Sequence, residues 1–216
     1  MFISLEGIEG SGKTTQIGHM AAYLQKTGRD YVITKEPGGT AVGEKIRSIL
    51  LDPEHTDIDP MAELMLYVAD RVQHVQKVIL PAMASGKIVI CDRFCDSTTV
   101  YQGVSRGIDT DLIQRIHHLA LGGLLPDLTF VLDLNPEIGL KRAWRQIRDG
   151  SRPERETRFE NERLEFHEKV RKGYLELARL EPERFVVLDA AANPEKVRET
   201  ILGHLENHLK NQRQIT

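Results

Sequence analysis

The chain has 216 residues, a formal net charge of -3, and 40% hydrophobic and 28% charged residues. That length suits one α/β domain with a sizeable core. The slight acidity speaks against a nucleic-acid-coating role, and no apolar run reaches the ~18–20 residues that span a bilayer.

The first apolar run, residues 2–6, predicts a strand that begins at once, without a basic-then-apolar leader, so the expected location is the cytoplasm. It leads into Gly7-Ile-Glu-Gly-Ser-Gly-Lys-Thr14, a complete G-x-x-x-x-G-K-[ST] phosphate loop, and a helix is predicted over 13–27. Strand, loop and helix in that order give the motif its mechanism. Glycines at 7, 10 and 12 let the backbone curl until successive N–H groups form an anion nest, and the following helix adds its positive end. The expected ATP-binding residues are therefore Gly7, Ile8, Glu9, Gly10, Ser11, Gly12, Lys13, Thr14 and Thr15. Lys13 would reach the β- and γ-phosphates, and Thr14 would offer its hydroxyl to Mg²⁺. Glu9 is out of place beside phosphates, so its carboxylate must face another partner, such as a sugar hydroxyl or a metal-bound water.

Further strands are predicted at 31–35, 87–92, 128–134 and 184–189. Helices are predicted at 41–51, 60–85, 96–102, 110–121, 136–149, 160–180 and 194–210. Gly28 and Gly86 mark helix stops, and Pro136 and Pro194 fit first turns. The short, β-branched, almost wholly apolar strands read as parallel strands covered on both faces. The implied fold is a P-loop NTPase-type, doubly wound, five-stranded parallel sheet with helices on both faces. It is expected to form a single domain over 1–216 with ligands at the strands' carboxyl ends.

Beyond the phosphate loop, three features carry chemistry. Tyr67 and Arg71, four apart on a predicted helix, share a face and could stack a base and hold a phosphate, although such pairs are common on ordinary helices. Ile88-Val-Ile-Cys-Asp92 ends a strand in a carboxylate suited to the metal shell, and Arg93 follows it; Asp133 is the competing strand-end carboxylate. Cys91 and Cys95 are too few for a disulfide framework or a cysteine-only zinc site; Cys91 is expected to be buried and Cys95 more exposed. Residues 148–158 hold Arg148, Arg152, Arg155 and Arg158 with no apolar residue, the composition of either a mobile lid or a solvated charged loop. The last residues, 211–216, are expected to fray.

Taken together, Glu6-Gly-Ile-Glu-Gly-Ser-Gly-Lys-Thr-Thr15, Glu36-Pro-Gly-Gly-Thr40, Tyr67-Val-Ala-Asp-Arg-Val-Gln73, Asp92-Arg-Phe94, Ser97, Tyr101-Gln-Gly103 and Pro126-Asp-Leu-Thr129 resemble the thymidylate kinases along nearly the whole chain. The resemblance implies transfer of the ATP γ-phosphoryl group to dTMP, with Mg²⁺, for dTTP synthesis. It implies Lys13, Arg93, Glu9 and a lid arginine, best matched by Arg158, as catalytic residues, and Thr14 and Asp92 at the metal. It implies a dTMP site of Glu9, Glu36, Pro37, Tyr67, Arg71, Arg93, Ser97, Thr98, Tyr101 and Gln102, with Arg71 and Arg93 on the acceptor phosphate. Tyr67 stands where the family commonly has Phe on the thymine. The phosphate loop carries no Arg, which fits the bacterial-type pattern that uses lid arginines. A homodimer is implied by likeness alone; neither nucleic acid nor membrane is an expected partner. The alternatives are a kinase for another nucleotide or nucleoside and a P-loop switch or binding protein. The Asn-Lys-x-Asp tetrapeptide of guanine-binding switches does not occur.

Overall fold

In the computed structural model, residues 1–212 are described, with side chains to Lys210. The fraying expected of 211–216 falls, from residue 213 on, outside them. The strands are β1 Phe2–Glu6, β2 Tyr31–Lys35, β3 Ile88–Asp92, β4 Leu128–Asp133 and β5 Phe185–Asp189. All pair in parallel in the order β2-β3-β1-β4-β5. Successive side chains of a strand face opposite ways. Ile3, Leu5, Ile88 and Ile90 therefore enter one apolar cluster, and Phe2, Val89 and Cys91 enter a second. Both faces are buried, as continuous apolar strands require.

The helices are α1 Lys13–Lys26, α2 Ala41–Leu51, α3 Pro60–His74, α4 Leu80–Ala84, α5 Cys95–Thr98, α6 Thr110–Leu121, α7 Pro136–Arg148, α8 Leu164–Leu180 and α9 Pro194–Gln212. The single helix expected over 60–85 is interrupted, because α3 and α4 are joined by a π-helical segment, Val75–Ile79. Pro81 explains the break: it has no N–H to donate to the preceding turn, and its ring crowds that turn's carbonyl. A second π-helical segment, Thr99–Ser105, continues α5 and carries Tyr101 and Gln102. Helix α8 starts later than expected, at 164, because 157–162 form a turn that buries Phe159. Cys95 is buried, against expectation: α5 drops into the second cluster beside Phe2 and Phe94. Burial raises the pKa of both thiols well above the ordinary value, which leaves them unreactive. Among the described residues, no helix is long and apolar enough to cross a membrane.

One close approach positions the phosphate loop. A methyl group on Gly139, in the first turns of α7, would sit 2.5 Å from the Glu9 carbonyl oxygen. One on Gly10, whose φ is 68°, would sit 2.1 Å from the Gly139 carbonyl oxygen. Neither backbone has room to yield. Gly139→Ala is expected to cost about 1–3 kcal/mol of stability by overpacking and to weaken ATP binding, as read by urea unfolding and nucleotide titration.

Candidate active site

Strands β1 and β3 lie side by side, with Leu5 opposite Asp92, so the loops that follow them emerge together at the sheet's switch point. Arg93 leaves β3 with φ 71°, the left-handed region, as the only non-glycine there among the described residues. That conformation costs about 1–3 kcal/mol and persists only where its surroundings impose it. From this position its guanidinium reaches Glu9 Oε1 at 3.0 Å, Tyr174 OH at 3.1 Å and Ser97 Oγ at 3.3 Å, and lies 5.0 Å from the centre of the Tyr101 ring. Tyr101 OH donates to the same Glu9 oxygen at 2.7 Å. His167 Nδ1 stands 3.3 Å from Glu9 Oε2, an electrostatic contact without the alignment of a hydrogen bond. Burial opposes ionisation of Glu9, but His167, Arg93 and Lys13 outweigh it and hold the carboxyl well below the ordinary range. Lys13 donates to the carbonyls of Gly7 and Ile8, each at 3.1 Å. Burial and the Arg93 charge pull its pKa down to about 8.

Three adjoining cavities run along this edge of the sheet. The first is lined by Tyr67, Arg71, Thr98, Tyr101 and Gln102, together with Glu36, Pro37 and Ser97. The second runs over the phosphate loop, with Lys13, Thr14, Thr15 and Asp92. The third lies beyond Gly10 and Gly12, between α7 and the turn after β5, with Arg142, Gln146, Ala190 and Pro194. Glu9, Arg93 and Arg152 line both the first and the second. Gly10, Gly12 and Gln146 line both the second and the third. The expected acceptor and phosphate-loop residues are thus brought together, with Arg93 at the junction of their two cavities.

Side-chain placement bears on three of the expectations. Arg71, expected on the acceptor phosphate, is only 1% exposed and committed elsewhere. Its Nε donates to Glu36 Oε2 at 2.7 Å, one terminal nitrogen to His117 Nε2 at 3.0 Å, and the other to Thr98 Oγ1 and Phe94 O at 3.0 and 3.2 Å. Of five guanidinium N–H groups, one remains for a ligand. His117 Nε2 accepts one of the four bonds already made and stays neutral, its pKa pushed down to about 3 by burial and by Arg71. Arg158, the expected lid arginine, is turned away from both phosphate-facing cavities: it pairs with buried Glu63 and donates to the Leu50 carbonyl. Arg152 is the arginine of the 148–158 segment that faces the junction, paired with Glu160. Between the rival carboxylates, Asp133 is gripped by Arg171 at 2.6 and 2.8 Å, whereas Asp92 lines the phosphate groove with Thr14.

Several lining residues escaped the sequence reading. Arg142 and Gln146 sit on α7 in positions that look like ordinary polar helix surface. The turn after β5 carried a usable signal, a strand end followed by Pro194 at a first helical turn, where the strand-terminus rule places ligands. Arg47 donates in bidentate fashion to Glu156 at 2.7 and 3.2 Å, a pairing across 109 residues with no local signature. Glu160, its pKa raised to about 7 by burial and by Glu9, likewise depends on tertiary placement.

Comparison with known proteins agrees with this geometry. The family model described as thymidylate kinase matches residues 5–201. The chain is 54% identical over 206 residues to the thymidylate kinase of Desulfosudis oleivorans, covering 95% of this chain and 96% of that one. It is 52% identical over 209 residues to that of Desulforapulum autotrophicum, covering 97% and 92%. The crystal structure of thymidylate kinase from Ehrlichia chaffeensis superimposes with a TM-score of 0.76 at 34% identity, covering 95% of this chain and 98% of that chain. Motifs, fold and relatives converge on one conclusion: the chain belongs to the thymidylate kinase family.

Proposed function

We propose that the protein transfers the γ-phosphoryl group of ATP to dTMP, giving dTDP and ADP. The observation that carries this reading is Arg93, held where the cavity lined by Tyr67, Arg71 and Gln102 opens into the phosphate groove. The acceptor phosphate is already an anion, so no strong base is required. The protein's work is to bring two anions together and neutralise them. Lys13 serves the donor phosphates, Arg93 bridges donor and acceptor, and Arg152, in place of Arg158, is the arginine brought by the lid at 148–158. Arg71 has too few free donors for a phosphate and is assigned to the base, beside Tyr67, Thr98 and Gln102. Glu9 and Tyr101 serve the sugar hydroxyl. The third cavity, with Arg142 in its lining, is the place for adenine.

Mg²⁺ fits Thr14 and Asp92, two oxygen donors in the phosphate groove. Among the described residues no group of three or more His, Cys, Asp or Glu side chains could hold a metal alone. The ion would therefore arrive with ATP, keeping phosphate and water ligands as Mg²⁺ prefers. Bound there, it would neutralise charge on the β- and γ-phosphates. A cytoplasmic enzyme acting on these soluble substrates completes the reading.

A homodimer is supported by surface apolar residues. Val42 and Ile49 are exposed one above the other on α2, and Met61 and Met65 on α3, which packs against it. Sedimentation velocity is expected to show a dimer, and Ile49→Glu with Met65→Glu is expected to give a monomer.

The activity is tested by ADP release with Mg·ATP and dTMP, dUMP, dCMP, AMP or no acceptor. dTMP should give the fastest release. Release without an acceptor, or release that prefers another nucleotide, would overturn the assignment. The two lid arginines should separate. Arg152→Ala is expected to lower kcat roughly 10²–10³-fold with little change in melting temperature. Arg158→Ala, which removes the nearest cation from buried Glu63 but leaves it Gln102 and Arg106, is expected to cost about 1–3 kcal/mol of stability in urea unfolding.

A further inference from the structure

Arg93 occupies its strained conformation because two residues of β1 hold the turn on both sides. The Arg93 amide donates to the Leu5 carbonyl at 3.0 Å, and the next amide, of Phe94, donates to Glu6 Oε1 at 2.8 Å. Glu6 is fully buried at the end of β1 and has no part in the reaction described above. Its second oxygen accepts from Ser97 Oγ at 2.6 Å and from Tyr174 OH at 2.9 Å. These are the two hydroxyls that meet the same terminal nitrogen of Arg93, at 3.3 and 3.1 Å.

A hydroxyl has one proton to donate and lone pairs to accept with. The Ser97 and Tyr174 oxygens also lie 2.8 Å apart, so each proton goes to the Glu6 carboxylate or is shared between the two hydroxyls, and in either case both oxygens keep lone pairs for the guanidinium, which can only donate. Glu6 thus sets the direction of the two hydrogen bonds that orient one side of Arg93, while Glu9 and the Tyr101 ring orient the other. A buried carboxylate with no such duty would be costly to keep.

We propose that Glu6 and Tyr174 are positioning residues for Arg93: Glu6 fixes the backbone turn and the hydroxyl directions, and Tyr174, from α8, holds the guanidinium toward the transferring group. The inference rests on the bridging role of Arg93 given above.

The test is a double-mutant cycle on kcat for dTMP-dependent ADP release. Tyr174→Phe removes one acceptor and Glu6→Gln replaces an acceptor oxygen by a donor. Each is expected to lower kcat roughly 10-fold or more, with KM for ATP essentially unchanged. In an Arg93→Ala background the same changes should cost less than about 2-fold, because residues acting through one side chain are not additive. Ser97→Thr, which keeps the hydroxyl, should retain activity that Ser97→Ala loses. Equal losses in both backgrounds would mean a purely structural role and overturn the proposal, as would Tyr174→Phe with wild-type kcat. Should Glu6→Gln fail to fold, the Tyr174→Phe arm decides alone. A wild-type protein without dTMP-dependent release would remove the bridging role itself, a failure distinguishable from loss confined to the variants.

Discussion

A site built to receive phosphates must bury positive charge before any phosphate arrives, and this chain meets that constraint by pairing. Each arginine that lines the acceptor pocket has a glutamate partner: Arg47 with Glu156, Arg71 with Glu36, Arg93 with Glu9, and Arg152 with Glu160. Unpaired buried charges would cost several kcal/mol each. The pairs draw on the turn after β2, α2, α3, the phosphate loop, the turn after β3 and the segment before α8, so much of the fold's edge is fixed by where these charges must meet. The pairs are also unequal. The Arg71–Glu36 pair is shut in by His74, Thr98 and His117, whereas Arg93 and Arg152 open onto the groove over the phosphate loop.

The sequence made the sheet legible because each strand is a short apolar run between helix signals, and such runs have few other stable uses. The phosphate loop was legible because its chemistry is local: glycines, lysine and threonine act within eight residues of one another. Helix breaks were harder. Pro81 was visible as a residue, but whether it ends a helix or widens one turn depends on packing against β3, and here the helix resumes. Cys95 was misjudged for a related reason, since the exposure of a residue just past a strand depends on which way the next turn falls.

The arginines show where reading by residue type ends. Arg71, Arg152 and Arg158 all read as cations for a phosphate site, yet Arg152 alone of the three lines both the acceptor pocket and the phosphate groove, while Arg71 lines the pocket only and Arg158 neither. What separates them is the partner each meets: Glu36 and His117 for Arg71, Glu63 for Arg158, Glu160 for Arg152. Glu36, His117 and Glu63 lie 35, 46 and 95 residues from their arginines, Glu160 meets Arg152 only through the turn at 157–162, and nothing in the local pattern distinguishes one arginine of the 148–158 segment from the next. The same applies to Arg142 and Gln146, which become wall residues only because α7 docks against the phosphate loop.

That docking has a mechanical consequence. Helix α7 begins against Glu9 and Gly10 and ends at Arg148, where the arginine-bearing segment starts. Its 13 residues make a strut about 20 Å long. At one end glycine backbone is pressed against the loop backbone, with the Ile8 side chain packed beside Gly139 and the Arg142 Cβ beside Gly10. An axial shift at its far end must either open a gap beneath the phosphate loop or carry the loop with it. The anion nest and the root of the arginine-bearing segment are therefore two ends of one rigid body, so a disturbance at either end reaches the other without passing through the acceptor pocket.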